Sequence, residues 1–169
     1  MGVLDGLKVL DFSTLFPGPY ATMVLADMGA EVLRVSSKSR TDIVLEAPPR
    51  IPGTEINAGA ATITRNKKSI SLNLKHPEAV KIVHKLVREY DIIVDQFRPG
   101  VMDRMGIGYE ALRVENPALI YCALTGYGQT GPLRDVPGHD INYLARSGIS
   151  SYSGRKNSGP SLTGVQIAD

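Results

Sequence analysis

The chain has no tryptophan, three phenylalanines and a single cysteine among its 169 residues. A lone cysteine excludes an internal disulfide. With only three histidines beside it, none at ligand spacing, no metal site is expected. Long apolar runs are missing as well. Asp5 and Lys8 interrupt the N-terminal stretch, and no later run approaches the roughly 20 residues that a membrane span needs. These absences predict a cytoplasmic protein with no signal peptide and no membrane partner. The formal net charge of +2 is too small to make nucleic acid the main partner.

What is present suits a folded domain. Hydrophobic residues make up 43% and charged residues 21%, so the chain can bury a real core and is expected to form one domain. Cys122 lies in the apolar run Leu119-Ile120-Tyr121-Cys122-Ala123-Leu124. It is expected to be a buried core thiol, because nothing beside it in sequence would stabilise a thiolate.

The periodicities alternate between strand and helix. Residues 7–12 predict a strand. Pro17-Gly18-Pro19 then opens a helix over residues 20–28, with Gly29 just past its end. A second strand over residues 30–35 completes a βαβ unit, the crossover that builds parallel sheets. Residues 36–61, rich in Pro, Gly and Ser, predict an irregular excursion. Further strands are expected over residues 69–74, 91–95 and 119–124. An amphipathic helix is expected over residues 77–88, with shorter ones near 101–105, 109–115 and 141–147. His76 and His84 fall at and in the residue 77–88 helix and are expected to be surface or helix-end residues. The fold class is α/β, a Rossmann-like, mostly parallel sheet with flanking helices.

One motif invites over-reading. Gly126-Tyr127-Gly128-Gln129-Thr130-Gly131 fits G-x-G-x-x-G after a strand. A dinucleotide site needs that loop to open a helix, but Pro132 follows at once and Pro137 soon after. The first βα turn has no matching glycines, so NAD and flavin are not expected as cofactors.

Basic residues gather near strand ends: Lys38, Arg40, Arg65, Lys67 and Lys68, then Arg98, Arg104 and Arg134. Residue type alone leaves two readings equally open. They form either a solvated basic face or a pocket for a polyanionic small molecule, whose phosphates a guanidinium fork would match. His139 lies in Gly138-His139-Asp140-Ile141-Asn142-Tyr143. Asp169 closes the apolar run Val165-Gln166-Ile167-Ala168, and an end at that point is expected to be a cut within a longer protein. A histidine and a carboxylate on opposite sides of one carbon suit moving a proton on and off a position next to a carbonyl.

Several segments together resemble the family III CoA-transferase superfamily, closest to its alpha-methylacyl-CoA racemase branch. They are Leu4-Asp5-Gly6-Leu7-Lys8-Val9-Leu10-Asp11-Phe12, Pro17-Gly18-Pro19 and Leu25-Ala26-Asp27-Met28-Gly29-Ala30-Glu31-Val32. Next come Asn66-Lys67-Lys68-Ser69-Ile70 with Leu72-Asn73-Leu74-Lys75, then Phe97-Arg98-Pro99-Gly100-Val101-Met102-Asp103-Arg104 and Asn116-Pro117-Ala118-Leu119-Ile120-Tyr121. The last are Gly126-Tyr127-Gly128-Gln129-Thr130-Gly131-Pro132 and the G-H-D-I-N-Y segment.

The resemblance implies that residues 1–169 are the N-terminal part of a large CoA-binding α/β domain, with a small domain and the C-terminal part absent. It also implies an interlocked homodimer in the full-length protein. It implies an acyl-CoA substrate, so coenzyme A is the ligand, and makes His139 and Asp169 the acid/base pair. Coenzyme A contacts would fall on Lys38, Arg40, Asn66, Lys67, Leu72, Arg98, Arg104, Arg134, Asp140 and Tyr143. Ser36-Ser37 stand where family members often carry an arginine, a contact that Lys38 or Arg40 would then supply.

The expected activity is epimerisation of the α-carbon of 2-methylacyl-CoA thioesters by two-base proton transfer. Burial of Asp169 by the apolar residues before it would raise its pKa into a useful range. The alternative is a CoA-transferase, in which Asp169 attacks the acyl carbonyl and later carries CoA as an aspartyl thioester. A CoA-binding module without activity is the third reading. The 169-residue piece alone is expected to be inactive and prone to self-association.

Overall fold

A computed structural model describes residues 2–37 and 42–168. Five strands form one sheet: β1 (Lys8–Asp11), β2 (Glu31–Ser36), β3 (Lys67–Ser71), β4 (Ile92–Asp95) and β5 (Ile120–Ala123). Their order is β3-β2-β1-β4-β5, and every neighbouring pair is parallel. This is the order of the doubly wound α/β sheet, with β1 at the centre. The crossovers carry α1 (Pro17–Asp27), α2 (Ile43–Glu46), α3 (Ala58–Ile63), α4 (Pro77–Val87), α5 (Val101–Arg104) and α6 (Tyr109–Leu112).

Strand alternation sends the core to both faces of the sheet. Leu10, Leu33 and Ile93 point to one face, where they pack with Val83 and Val87 of α4, Met102 of α5, and Ile107, Leu112 and Leu119. Val9, Val32 and Val94 point to the other, against Ala26 of α1 and Ala30. The central strands are therefore buried on both sides, while β3 and β5 form the edges and are mostly exposed or half-buried.

Local chemistry explains the helix ends. Pro17 opens α1 where a missing N–H costs little, and Gly29 leaves it at φ +107°, a left-handed turn that suits glycine. In α4, Pro77 occupies the same early position. His76 Nδ1 accepts from Glu78 N at 3.2 Å, so His76 is the capping residue rather than a ligand.

Three expectations need correction. Residues 36–61 are not wholly irregular: α2 and α3 lie there, α2 capped by the Asp42 carboxylate, which accepts from Val44 N at 3.2 Å. Elements of four and six residues are too short to show a helical period. The third strand starts two residues earlier than its alternation suggests, because Lys67 and Lys68 pair with Val32 and Leu33. Cys122 is exposed, not buried. It lies on the edge strand β5 on the same face as Ile120, which is also exposed, and an edge strand with a neighbour on one side only leaves that face open.

Residues Met1–Thr125 form one compact unit and Gly126–Asp169 a second. The second contains α7 (Asp140–Arg146) and a 3-10 turn, Ile149–Tyr152. Among the described residues no helix is long and apolar enough to cross a membrane.

Candidate functional site

The order of strand addition reverses between the parallel neighbours β1 and β4, so the loops leaving their C-terminal ends flank the sheet's switch point. Ligands of open α/β sheets bind there. Asp11 ends β1 and is fully buried. Its Oδ1 accepts from Ser13 N at 2.9 Å and from the Ser13 hydroxyl. Its Oδ2 accepts from Thr22 Oγ1 of α1 at 2.5 Å and from Lys67 Nζ of β3 at 3.2 Å. The Lys67 ammonium also donates to Pro19 O at 2.8 Å and Thr22 Oγ1 at 2.6 Å. Burial pulls the Lys67 ammonium below the usual lysine range, against the opposing pull of Asp11.

The opposite wall of the switch point is the end of β4. Gln96 Oε1 accepts from Gly18 N at 3.2 Å. A side chain at Gly18 would meet Ser13 Oγ at 2.5 Å and Gln96 Oε1 at 2.7 Å, so the close approach requires glycine there. Asp95 accepts from Phe97 N at 2.7 Å and from the Tyr121 hydroxyl at 3.1 Å. Burial pushes the Asp95 carboxyl up, and these two donors oppose the shift. Burial likewise pushes the Tyr121 phenol up, helped by the adjacent carboxylate.

On the α4 face of the same unit lies an open cleft of about 610 Å³. Its walls are Leu74, Pro77, Val80 and Met105, with Lys75, Lys81 and Arg104 among them. An apolar floor bordered by Lys75 and Arg104, with the Lys81 ammonium paired to Glu78 Oε1 at 2.7 Å, suits an amphipathic anion.

The expected coenzyme A contacts separate accordingly. Arg104 lines the cleft, whereas Leu72 is half-buried against the core and is not part of the cleft's lining. Arg98 is exposed on the loop after β4. Asn66 adopts φ +60° and donates to Asp27 Oδ1 at 2.9 Å, beside the Arg65–Asp27 ion pair. Lys67 is placed differently from the expectation. Its side chain is 1% exposed and its ammonium is held by three protein oxygens, so it is not presented at a ligand surface.

In the second unit His139 is exposed at the N-terminus of α7, and its backbone N–H donates to Asn142 Oδ1 at 3.0 Å. Asp140 Oδ1 accepts from Ile167 N at 2.8 Å and Ala168 N at 2.6 Å, which ties the backbone of residues 167–168 to the residue after His139. Tyr143 is half-buried and stacks edge-on against Tyr127, ring centroids 5.3 Å apart. A Cβ at Gly126 or Gly138 would collide with the Tyr143 ring, so both glycines admit it. Tyr143 is thus a packing pillar for the loop that carries His139. Arg134 is exposed and pairs with Asp135 at 3.5 Å. Gly128 and Gly131 take φ +83° and +86° in the glycine-rich loop, and the chain next enters a helix only at Asp140. Lys38, Arg40 and Asp169 lie outside the described residues.

The Asp11–Ser13–Thr22–Lys67 network was not legible as a unit. Polar residues at the end of an otherwise apolar first strand were its only local signal. Lys75, which lines the cleft with Arg104, is not among the basic residues singled out from the sequence.

Comparison with known proteins bears directly on these features. Residues 4–169 match the family described as CoA-transferase family III. Human succinyl-CoA:glutarate CoA-transferase is 40% identical over 98% of this chain and 38% of its own length. Human alpha-methylacyl-CoA racemase is 40% identical over 93% of this chain and 37% of its own. The crystal structure of a CAIB/BAIF family protein from Brucella suis superposes with a TM-score of 0.90 at 33% identity, covering 98% of this chain and 44% of that one. The chain therefore spans little more than a third of the length of these curated relatives.

Proposed function

The chain belongs to CoA-transferase family III, and from that premise we propose that the protein carrying it is an acyl-CoA-processing enzyme that moves the α-proton of 2-methylacyl thioesters. The observation that carries this reading is the pair of bonds from Ile167 N and Ala168 N to Asp140, the neighbour of His139. They hold residues 167–168 to the side chain of the residue that follows His139, which supports a pairing of His139 with the acid at position 169.

In this reading the cleft beside α4 takes the nucleotide end of coenzyme A. Arg104 and Lys75 face its phosphates, and Leu74, Val80 and Met105 offer apolar and thioether contact to the adenine. An α-proton beside a thioester is weakly acidic, and removing it needs a positioned base. One of His139 and Asp169 takes the proton from one face of the carbon. The other returns a proton to the opposite face, which inverts the centre.

A second reading is favoured by the similarity to succinyl-CoA:glutarate CoA-transferase. Here the Asp169 carboxylate attacks the acyl-CoA carbonyl and expels the CoA thiolate, leaving a mixed anhydride. The thiolate then attacks the aspartyl carbonyl, releasing the first acid and forming an aspartyl thioester. An acceptor carboxylate attacks that thioester, and the returning thiolate takes the new acyl group and frees Asp169. No base at position 139 is required.

One experiment separates the two. The complete protein is incubated in deuterated water with a 2-methylacyl-CoA, with and without an acceptor acid. Deuterium entering the α-carbon without acceptor supports proton transfer by His139 and Asp169. Transfer of CoA to the acceptor without deuterium entry supports the transferase, and neither result sinks both.

A further inference from the structure

Residues 12–18, the β1–α1 loop with the first two residues of α1, are held directly from three sides, and Lys67 braces both of their flanks. Asp11 grips Ser13 through its backbone and hydroxyl. Asp42 Oδ2, itself paired with Arg34, accepts from Leu15 N at 3.4 Å. Gln96 holds Gly18 N from β4. Lys67 reaches across from β3 to Pro19 O and to both Asp11 and Thr22. Within this frame Leu15 takes φ +63°, a left-handed conformation that a leucine adopts only when its surroundings impose it. Such frames hold loops whose shape matters, and this loop stands at the switch point of the sheet.

We propose that Lys67 is a positioning residue: its buried ammonium, acting through Asp11, Thr22 and Pro19 O, fixes residues 12–18 in the shape that receives the acyl-CoA substrate. The inference rests on the acyl-CoA reading above. It gives Lys67 a role without direct ligand contact, since the side chain lies inside the unit with its donors spent on protein oxygens. A buried ammonium suits this work because three oxygens from two different elements converge on one atom. A neutral side chain of the same length would leave Asp11 charged and underpartnered.

The test compares the complete wild-type protein with the double variant Asp11→Asn/Lys67→Met, in which no buried charge is left alone, and with the milder Thr22→Val. Three readouts are taken: thermal midpoint, amide hydrogen exchange over residues 12–19 and over β2, and the Kd for free coenzyme A with KM and kcat for acyl-CoA. The expected result for a folded variant is faster exchange confined to residues 12–19, with Kd and KM raised about tenfold or more and kcat changed less. Thr22→Val should move the same quantities in the same direction by a smaller factor, which keeps the proposal decidable if the double variant does not fold. Wild-type protection of residues 12–19 in folded variants overturns the proposal. So does faster exchange with unchanged Kd and KM, which would make Lys67 only structural. A wild-type protein that binds no coenzyme A defeats the acyl-CoA reading and the ligand half of the proposal. The exchange data then decide whether Lys67 holds the loop.

Discussion

Tyr121 donates its phenolic hydrogen to Asp95 across the adjacent strands β5 and β4, Oη lying 3.1 Å from Oδ2. The pair closes the C-terminal edge of the sheet beside the switch point. Asp95 is 6% exposed, and its second oxygen turns the chain out of β4 through Phe97 N.

Removing the donor should therefore be felt in stability. Tyr121→Phe leaves a buried carboxylate with one partner fewer and is expected to cost about 1–3 kcal/mol in urea unfolding. The pH dependence has a definite sign. Burial raises the folded-state pKa of Asp95 above its unfolded value. Its contribution is thus fully present below the ordinary carboxylate range and is lost as pH rises through the raised value. The deficit of Tyr121→Phe should be larger at neutral pH than in mild acid, and Asp95→Asn should remove that slope. A deficit independent of pH would contradict the assignment.

Tyr90 makes an alkaline counterpart. Burial, with the Glu31 carboxylate 3.2 Å from its hydroxyl, pushes its pKa up to about 12. The stability it confers is whole below its ordinary value of 10.0 and disappears as pH climbs toward about 12. Ultraviolet titration of the folded protein should show a phenol ionising at about 12 that Tyr90→Phe removes, while the raised Tyr121 phenol remains.

The cleft beside α4 predicts an ionic signature. Arg104→Ala and Lys75→Ala should each weaken coenzyme A binding by about five- to twentyfold at low salt, with the difference shrinking as salt rises. Isothermal titration of the complete protein measures this directly. Salt-independent losses would point to packing instead.

His139→Ala is expected to reduce α-proton exchange in the complete protein by about two to four orders of magnitude. The Kd for coenzyme A should stay within about twofold, since general-base removal acts on chemistry rather than binding. Deuterium entry that persists at the wild-type rate removes His139 from the reaction.

Gly18→Ala tests the contact between the two walls of the switch point. The added methyl must displace Ser13 or Gln96, and overpacking of this kind is expected to cost about 1–3 kcal/mol. A wild-type urea midpoint would mean that the two loops separate freely.

Much of this architecture was readable from periodicity. The strands over Val9–Leu10, Val32–Leu33 and Ile93–Val94 carry paired apolar residues that fill both faces, and α4 shows a clean apolar stripe in Val80, Val83 and Val87. Sequence reasoning failed where burial depends on partners distant in the chain. Cys122 looked like core because its run is apolar, yet no strand lies beyond β5 among the described residues. Lys67 is expected at coenzyme A from the resemblance alone, and only the β3–β2–β1 register shows it reaching Asp11, 56 residues away in sequence. His139 was visible through its motif, whereas the tether from Asp140 to residues 167–168 needed coordinates.

The central place of β1 also has a meaning in time. Of the five strands Lys8–Asp11 is the earliest made, and its partner on one side, Glu31–Ser36, follows soon after. Its other side waits for Ile92–Asp95. During synthesis the nascent chain therefore carries a half-clothed apolar strand while β3 and α4 are still being added. That open side is an unpaired edge, the place where a growing chain is most prone to pair wrongly, and the hazard ends when the fourth strand docks.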